Sequence, residues 1–474
     1  MNFLKTKNPF KSALLFGVLS VLKSGVSLLL LPIFLNYLSP EDYGVVSLVI
    51  IYSTIVAVVG SLGLKSALYT FYFDFNNQDM LRKYLSNLFS VHLITFLLII
   101  CIHLLIGQNI YEVIFHSNKL SFYNYGLLAL LTVLFSVLNN LYFIFLKNGL
   151  NLKVYFRYTL VAIFLTAFFQ ILFITYYNLN IYGLLLGMLI PNVIIFITIS
   201  LSNTYLFTFK LKKKLLYPSL NYSLKLLPFL LLFAFENQID KYLIELNLGL
   251  KNVGLYTLLI KIFGLLFIAL NAIDDGIRPF IYKDLKDGKA TINKYFNLYI
   301  SFGVLLLVII NTIGYNLEFI IKNTEYLVIQ EYFFIGSIAF LLIVPTRFYG
   351  LLLVFYKASL KLSYVTSIKV IITVLLMMIL IPKYKIYGAL YALSISYLIN
   401  IIVFAFILFK KVNLIPNKKT LIFILLFLIG SYYLNTHIDS PKKILISIIY
   451  ITVLVYFFAR YYIKDGFTIL KPKH

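Results

Sequence analysis

The chain has 474 residues, of which 61% are hydrophobic and 12% are charged, whereas soluble domains are about 45–50% apolar and about 25% charged. A soluble protein of this length could not cover so much apolar surface, so the composition predicts an integral membrane protein. The net charge of +24 does not indicate nucleic-acid binding, because the basic residues lie in short gaps between apolar runs. The single cysteine, Cys101, excludes an intrachain disulfide and a cysteine-based metal site.

A helix needs about 20 mostly apolar residues to cross the hydrocarbon core of a bilayer, and fourteen runs of the chain meet this condition. The first follows the basic segment MNFLKTKNPFK and is interpreted as an uncleaved membrane helix, because no A-x-A-like cleavage site follows. In chain order, the predicted spans lie near residues 11–36, 43–69, 86–107, 121–146, 155–177, 181–208, 224–247, 252–273, 296–318, 327–355, 362–381, 386–409, 420–436 and 443–463.

The basic residues alternate between the two sets of connecting segments. If the N-terminus is cytoplasmic, every inside segment carries at least two positive charges, and no outside segment carries more than two. The positive-inside rule then predicts that both termini are cytoplasmic. The loops are too short for an extramembrane catalytic domain, so we expect the function to be carried out within the bilayer.

Two polar hairpins repeat within this apolar sequence. The phrase LNYLSPEDYGVVSL at 35–48 is similar to ELNLGLKNVGLYTL at 245–258, with Gly44 matching Gly254 at an offset of 210. Further pairs are FLKNGLNL at 145–152 with FYKASLKL at 355–362, and IYGLL at 181–185 with IYGAL at 386–390. Three matches in order, each at the same place in the topology, indicate an internal repeat.

The repeat predicts an all-α membrane protein built from two pseudo-symmetric six-helix bundles. The bundles cover residues 1–209 and 224–411, a basic cytoplasmic linker joins them at 210–223, and two further helices with a cytoplasmic tail occupy 412–474. Like-oriented halves that rock around a central cavity are a transporter architecture. The alternative is that the repeat only records gene duplication in a membrane enzyme.

Six charged residues fall in the middle of predicted spans. A charge at the centre of a bilayer costs about 2.5–3.5 kcal/mol on the insertion scale, so these side chains are expected to face protein or water. They are Lys23, Glu236, Asp240, Lys241, Lys261 and Lys369.

The seventh predicted span carries the most polar sequence, FENQIDKYL at 235–243. On one continuous helix, Glu236, Asn237, Asp240 and Lys241 would occupy an arc of roughly 140°. Two interpretations remain open for this stripe. It is either an ion pair that attaches the span to a neighbouring helix, or a cavity face on which Glu236 and Asp240 couple transport to a proton or another cation.

Several of these phrases resemble the Wzx-type polysaccharide flippases, which share a superfamily with MATE drug exporters and lipid II flippases. The resemblance is carried by the opening span, the turn LSPEDYGVVSL, the DKYLI and LGLKNVGLYTL phrases, and the two IYG helix starts. It implies about fourteen membrane helices in the bacterial plasma (inner) membrane and flipping of undecaprenyl-pyrophosphate-linked oligosaccharide repeat units from the inner to the outer leaflet. Transport would use alternating access driven by protons or sodium ions, with no cofactor and no metal.

The resemblance also assigns roles to the charged residues. Lys23, Lys241, Lys261 and Lys369, with Asn237, become candidates to bind the pyrophosphate or sugar, because ammonium donors form strong hydrogen bonds with phosphate oxygens. For Lys23, pairing between helices is the alternative. Expected partners are membrane lipid, the lipid-linked substrate, a polysaccharide polymerase and other assembly proteins of the O-antigen, capsule or exopolysaccharide pathways.

Five further residues are candidates for a gate between the halves. Lys65 and Arg347 lie near the ends of their spans, where they either line the cavity or extend to the interface. The segment 271–294 is expected to form a cytoplasmic turn and a short interfacial helix, or to supply a gate salt bridge through Asp274, Asp275 and Arg278.

Two other functions compete with flipping. A MATE-like drug or cation exporter would need an acidic cavity, whereas lysines outnumber acids in the middle of the spans. A membrane-embedded polysaccharide polymerase would need catalytic carboxylates, histidines or a metal site on a sizeable outer loop. The sequence has no Gly-rich phosphate loop, H-E-x-x-H or D-x-D motif. We therefore predict that the protein is not an enzyme and has no catalytic residues.

Overall fold

Long apolar runs in a bilayer form helices because lipid offers no partners to backbone N–H and C=O groups. The computed structural model describes residues 19, 22, 25–75, 77–149, 151–207, 211–236, 238–287, 291–409, 411–412, 414–437 and 443–463, without the side chains of residues 272, 275, 279, 359 and 360. Across these ranges the chain is almost entirely helical and has no strand.

Sixteen α-helices follow one another in the described part of the chain. They are α1 Leu31–Tyr37, α2 Pro40–Ser61, α3 Leu64–Phe71, α4 Gln78–Ile114, α5 Leu127–Asn148, α6 Leu152–Ile171, α7 Asn180–Ser202, α8 Lys213–Glu236, α9 Ile239–Leu248, α10 Leu250–Lys286, α11 Ile292–Tyr315, α12 Phe333–Phe355, α13 Ser359–Tyr384, α14 Ile386–Leu408, α15 Lys418–Thr436 and α16 Lys443–Phe458. Short 3₁₀ and π turns extend some of them, as at Phe122–Gly126 before α5 and Thr324–Tyr332 before α12.

Thirteen of these helical segments are long and apolar enough to cross a membrane, and the segment Gly25–Tyr37 is a shorter apolar helix. The protein is therefore a multi-pass membrane protein, and the predicted all-α fold class is confirmed. The first predicted span, 11–36, lies partly outside the described residues.

The chain divides into two compact units, residues 1–254 and 255–474. In the first unit, α3, α4 and α5 share a core that includes Leu68, Leu88 and Leu138. The predicted borders of the two bundles and their linker, at residues 209, 223 and 411, remain predictions.

In the second unit, α15 and α16 pack on α11. The side-chain amide of Asn311 on α11 donates to Ser431 at 2.9 Å, and Asn297 accepts from Thr420 at 2.7 Å. The last two helices are thus joined to α11 by polar contacts as well as by apolar packing.

The first repeated hairpin begins α2 with a complete capping box. The Ser39 hydroxyl accepts from the N–H of Asp42 at 3.1 Å, and the Asp42 carboxylate accepts from the N–H of Ser39 at 3.2 Å. Pro40 is the first residue of the helix, where its missing N–H has no cost. In the second hairpin, Gly249 takes φ +79° between α9 and α10, a backbone conformation that favours glycine.

The matching glycines of the two hairpins lie against each other within the first unit. A Cβ atom on Gly44 would collide with the carbonyl oxygen of Leu250, and one on Gly254 with the carbonyl oxygen of Pro40. Pro40 and Leu250 are themselves separated by 210 residues, so the contact is reciprocal. The first turns of α2 and α10 therefore cross with their backbones in contact, as small residues allow in membrane helices.

Candidate functional site

The polar segment of the seventh predicted span lies where the helix is interrupted. Helix α8 ends at Glu236, and α9 begins at Ile239 after an N-cap at Gln238. The sequence predicted one helix over 224–247 with a continuous polar stripe, and this prediction is wrong. In a membrane, such a break is tolerated only where the backbone is buried in protein or lines a watery cavity.

The charged residues after the break bind their own neighbours. The Lys241 ammonium lies 3.5 Å from an Asp240 oxygen and donates to the Gln238 side chain at 3.1 Å. The Asp240 carboxylate also accepts from the N–H of Lys241 at 2.8 Å, and it stands in the first turn of α9, where negative charge is favoured. The Lys241 and Asp240 side chains are 13% and 15% exposed, so the pair is mostly but not fully desolvated.

Glu245, one turn further along α9, is a functional candidate that the sequence reasoning missed. The residue is 3% exposed, and one carboxylate oxygen accepts from the N–H groups of His116 and Ser117 at 3.0 and 3.1 Å. Among the residues that the structure describes, its other oxygen finds no hydrogen-bond partner. In the same loop, a hydrogen bond to Glu41 raises the pKa of Lys119. Carboxylates on α2 and α9 thus both hold the loop at 116–119.

The second unit contains a buried network around Asp274. One of its oxygens accepts from Arg347 at 2.6 Å and the other from the Tyr299 hydroxyl at 2.6 Å, while Arg347 also donates to Asn271. The network joins α10, α11 and α12, and Arg347 lies over the ring of Phe267 at 5.7 Å. Arg347, which was expected either to line a cavity or to extend to the interface, is paired with Asp274 inside this unit.

Helix α10 continues to Lys286, so the predicted end of span 8 at 273, followed by a turn and a separate interfacial helix, is wrong. The apolar positions Leu270, Ile273, Ile277 and Ile281 keep helical spacing across the predicted turn, and Leu270 and Ile281 are fully buried. Arg278 is exposed on the same helix. The side chain of Asp275 is not among those that the structure describes.

The remaining candidate residues for substrate binding and gating lie on several different helices. The Lys369 ammonium on α13 lies 4.8 Å from the centre of the Tyr397 ring on α14, and Lys261 on α10 is half-buried. Lys65 on α3 is also half-buried, whereas Lys23 and Asn237 lie outside the described residues. Among the residues that the structure does describe, no group of three or more His, Cys, Asp or Glu side chains could hold a metal ion.

Solved structures share this fold. The lipid II flippase MurJ in its inward closed conformation superposes with a TM-score of 0.69 at 14% identity, over 95% of this chain and 99% of that chain. An inward-facing MATE multidrug resistance transporter gives 0.64 at 12% identity, over 83% of this chain and 95% of that chain. A transporter of the same superfamily from Pyrococcus furiosus, described by a binding pocket of reversed polarity, gives 0.56 at 14% identity, over 85% and 97%.

At these identities the structures establish the fold alone, and no curated protein matches the sequence. The family model described as polysaccharide biosynthesis protein matches residues 36–273, half of the chain. With the shared fold, this match confirms the resemblance to the Wzx-type flippases. The chain belongs to the polysaccharide biosynthesis protein family.

Proposed function

We propose that this protein flips undecaprenyl-pyrophosphate-linked oligosaccharide repeat units from the inner to the outer leaflet of the bacterial plasma membrane, for surface polysaccharide assembly. The family and the flippase fold support this proposal. The observation that carries it is the interrupted helix at Gln238, with Asp240 and Lys241 directly after it. Interrupted helices form substrate and ion sites in many transporters.

In this proposal the charged side chains divide into two roles. Lys23, Lys241, Lys261 and Lys369, with Asn237, hold the anionic and sugar groups of the substrate. Asp240 and Glu236 bind the proton or sodium ion whose gradient drives alternating access. Lys65, Asp275 and Arg278 contribute to gating, whereas Asp274 and Arg347, the other two gate candidates, pair within the second unit and stabilise it. Both termini are cytoplasmic.

The test is a leaflet assay in proteoliposomes with a fluorescent lipid-linked oligosaccharide and a quencher that reaches only the outer leaflet. Asp240→Asn and Lys241→Met are each expected to slow flipping at least about tenfold, which corresponds to about 1.4 kcal/mol in the transport barrier. Lys383→Met is the matched control, because Lys383 is exposed at the end of α13. Wild-type flipping by both test variants would contradict the assigned site.

The competing function is export of drug cations, since MATE transporters share the fold. The same proteoliposomes distinguish the two, because a cation exporter would move a fluorescent organic cation against a gradient and leave the lipid-linked oligosaccharide in its original leaflet. Imposing a sodium or a proton gradient in turn identifies the coupling ion. Polysaccharide polymerase activity is tested separately, by searching for longer glycans after incubation of the protein with the same lipid-linked oligosaccharide.

A further inference from the structure

Glu245 on α9 is a buried carboxylate to which the proposed function gives no role. One of its oxygens accepts from the backbone N–H groups of His116 and Ser117, and the residue is only 3% exposed. Its second oxygen is buried and meets no hydrogen-bond donor in the described part of the chain. None of the ion pairs between described residues includes Glu245. Buried polar atoms are nearly always paired, so the free oxygen indicates a place for a ligand from outside the chain.

The contact of Glu245 with the loop at 116–119 connects the two predicted bundles. Helix α9 lies in the second predicted bundle, at 224–411, whereas the loop lies in the first, at 1–209. Both sides of the contact belong to the compact unit 1–254, and the positive-inside pattern predicts that the loop is on the outer side. In alternating access such bundles rock or gate against each other, so contacts between them form and break during the cycle.

The other charged groups at this end of the first unit are paired or exposed. Those that are charged or titrate near neutral pH on the loop, on α4 and on the first turns of α2 and α10 are His116, Lys119, Glu112, Glu41, Asp42 and Lys251. All except Glu41 and Asp42 are exposed. Glu41 pairs with Lys119 at 2.6 Å, Asp42 belongs to the capping box of α2, and the charge of His116 acts on Glu245. On α9 itself, Asp240 and Lys241 pair with each other. Among all these groups, Glu245 is the one that is both buried and outside any ion pair.

The ligand that fits the free oxygen is a proton. A metal cation takes several oxygen ligands, whereas two N–H donors, whose partial charges repel a cation, occupy the first oxygen of Glu245. A proton needs one oxygen only. Burial favours the neutral carboxyl, and the N–H bonds and the charge of His116 favour the carboxylate. These opposing influences bring the two states closer in free energy, as a residue that takes up and releases a proton requires.

We infer that Glu245 is a proton-binding residue of the transport cycle and that its protonation releases the loop at 116–119 from α9. The inference rests on the proposed function and specifies the coupling ion as a proton. Hydrogen bonds to a charged acceptor are roughly twice as strong as neutral ones, so the two N–H bonds hold the loop while Glu245 is ionised. Proton uptake on the free oxygen weakens them and lets the predicted bundles separate at this end. Proton release restores the bonds.

The first measurement tests the proton site without any substrate. Infrared difference spectra of the full chain in nanodiscs, recorded as the pH is lowered, are expected to show the C=O band of a buried protonated carboxyl. Glu245→Gln keeps an oxygen that accepts the two N–H bonds but cannot bind the proton, so the band should be absent. Glu112→Gln changes an exposed carboxylate in the last turn of α4, and this matched control should retain the band. A wild type without the band, or Glu245→Gln with it, would overturn the proton site.

The second measurement is the leaflet assay with lipid-linked oligosaccharide under a proton gradient, a sodium gradient or no gradient. The proton gradient is expected to accelerate flipping by the wild type and by Glu112→Gln about tenfold, which corresponds to about 1.4 kcal/mol in the barrier. Glu245→Gln should flip at one rate with and without the gradient, and thermal unfolding shows that it is folded. If it is unstable, Glu245→Asp replaces it. This variant keeps a carboxyl in changed surroundings and should shift the pH at which flipping accelerates.

Acceleration of Glu245→Gln by the proton gradient would overturn the inference and leave the flippase proposal standing. Acceleration of the wild type by a sodium gradient alone, or an unshifted pH dependence in Glu245→Asp, would have the same consequence. Failure of the wild type to flip the lipid under any gradient would instead overturn the proposed function, and the transport role of Glu245 with it.

Discussion

The charged segment after the helix break and the network around Asp274 bury similar groups in different ways. Asp240, Lys241 and Gln238 lie within four residues of one another and exchange contacts along one short segment. Asp274 instead binds Tyr299 and Arg347, which come from two other helices. The first arrangement can move as one segment without losing these contacts, whereas the second holds three helices in fixed positions.

This difference separates residues suited to transport from residues suited to stability. A carboxylate whose partners come from two other helices resists any motion that would separate the three helices. The contacts among Gln238, Asp240 and Lys241 can persist while this segment changes its surroundings between two states of a transporter. We therefore expect substitutions in the network to lower stability most, and substitutions after the break to lower transport most.

The largest loss of stability is expected for Asp274→Ala. Removing the carboxylate leaves the partly buried Arg347 guanidinium without its ion-pair partner, and breaking a buried pair in this way costs about 3 kcal/mol. The measurement is chemical or thermal unfolding in detergent. Arg278→Ala, on an exposed position of the same helix, is the control, and equal stability of the two variants would contradict the structural role of the network.

The glycine crossing gives the next largest effect. Gly254→Ala places a methyl group against the Pro40 carbonyl, and overpacking of this kind costs about 1–3 kcal/mol. Gly264→Ala lies on the same helix with open space at its Cβ position, so it is expected to stabilise by about 0.5–1 kcal/mol. The measurement is the melting temperature of each variant. A shift of both melting temperatures in the same direction would contradict the role of the glycine crossing.

A smaller loss of stability is expected for Asp240→Asn, about 1 kcal/mol, because Lys241 keeps its hydrogen bond to Gln238. Flipping, by contrast, is expected to fall as described for the leaflet assay. Unfolding and flipping measured on one preparation separate the two effects. A variant that unfolds as readily as Asp274→Ala would place Asp240 with the structural network instead.

The smallest effect is the pH dependence that Glu318 contributes. Burial raises the pKa of its carboxyl, but hydrogen bonds from Lys443 and Gln330 outweigh this and hold the pKa below its ordinary value of 4.5. The stabilisation is present above that value and is lost as the pH falls through the lowered pKa. Since Glu318 is a third exposed, we expect less than about 1 kcal/mol. Glu318→Gln should remove this part of the decrease in stability at acid pH. An unchanged profile of unfolding free energy against pH would show that Glu318 does not contribute to it.

The sequence predicted the features that depend on local periodicity. Apolar runs of sufficient length gave the membrane helices, and the constant offset of 210 identified Gly44 and Gly254 as equivalent. It did not predict that these two glycines touch, because periodicity describes one segment and carries no information on which distant segments pack together. The pairing of Asp274 with Arg347, 73 residues apart, was missed for the same reason.

The errors occurred where polar residues interrupt an apolar run. At FENQ, three polar residues in succession fit either a stripe on one helix or a break, and hydropathy does not distinguish them. At 271–294 the charges were interpreted as a turn, although Leu270, Ile273, Ile277 and Ile281 continue the helix. In the described part of the chain, one side-chain oxygen each of Glu245 and Asn400 is buried without a hydrogen-bond partner. The sequence could not predict this, because the hydrogen bonds of a buried side chain depend on its neighbours in space.

The central claim is that the orientation of the charges after the break is used in transport. The most direct test exchanges them, as Asp240→Lys together with Lys241→Asp, which keeps an ion pair but reverses its direction. We expect this variant to unfold near the wild-type temperature and to flip lipid-linked oligosaccharide at least about tenfold more slowly. Wild-type flipping by the exchanged pair would contradict the claim and reduce Asp240 and Lys241 to a structural ion pair.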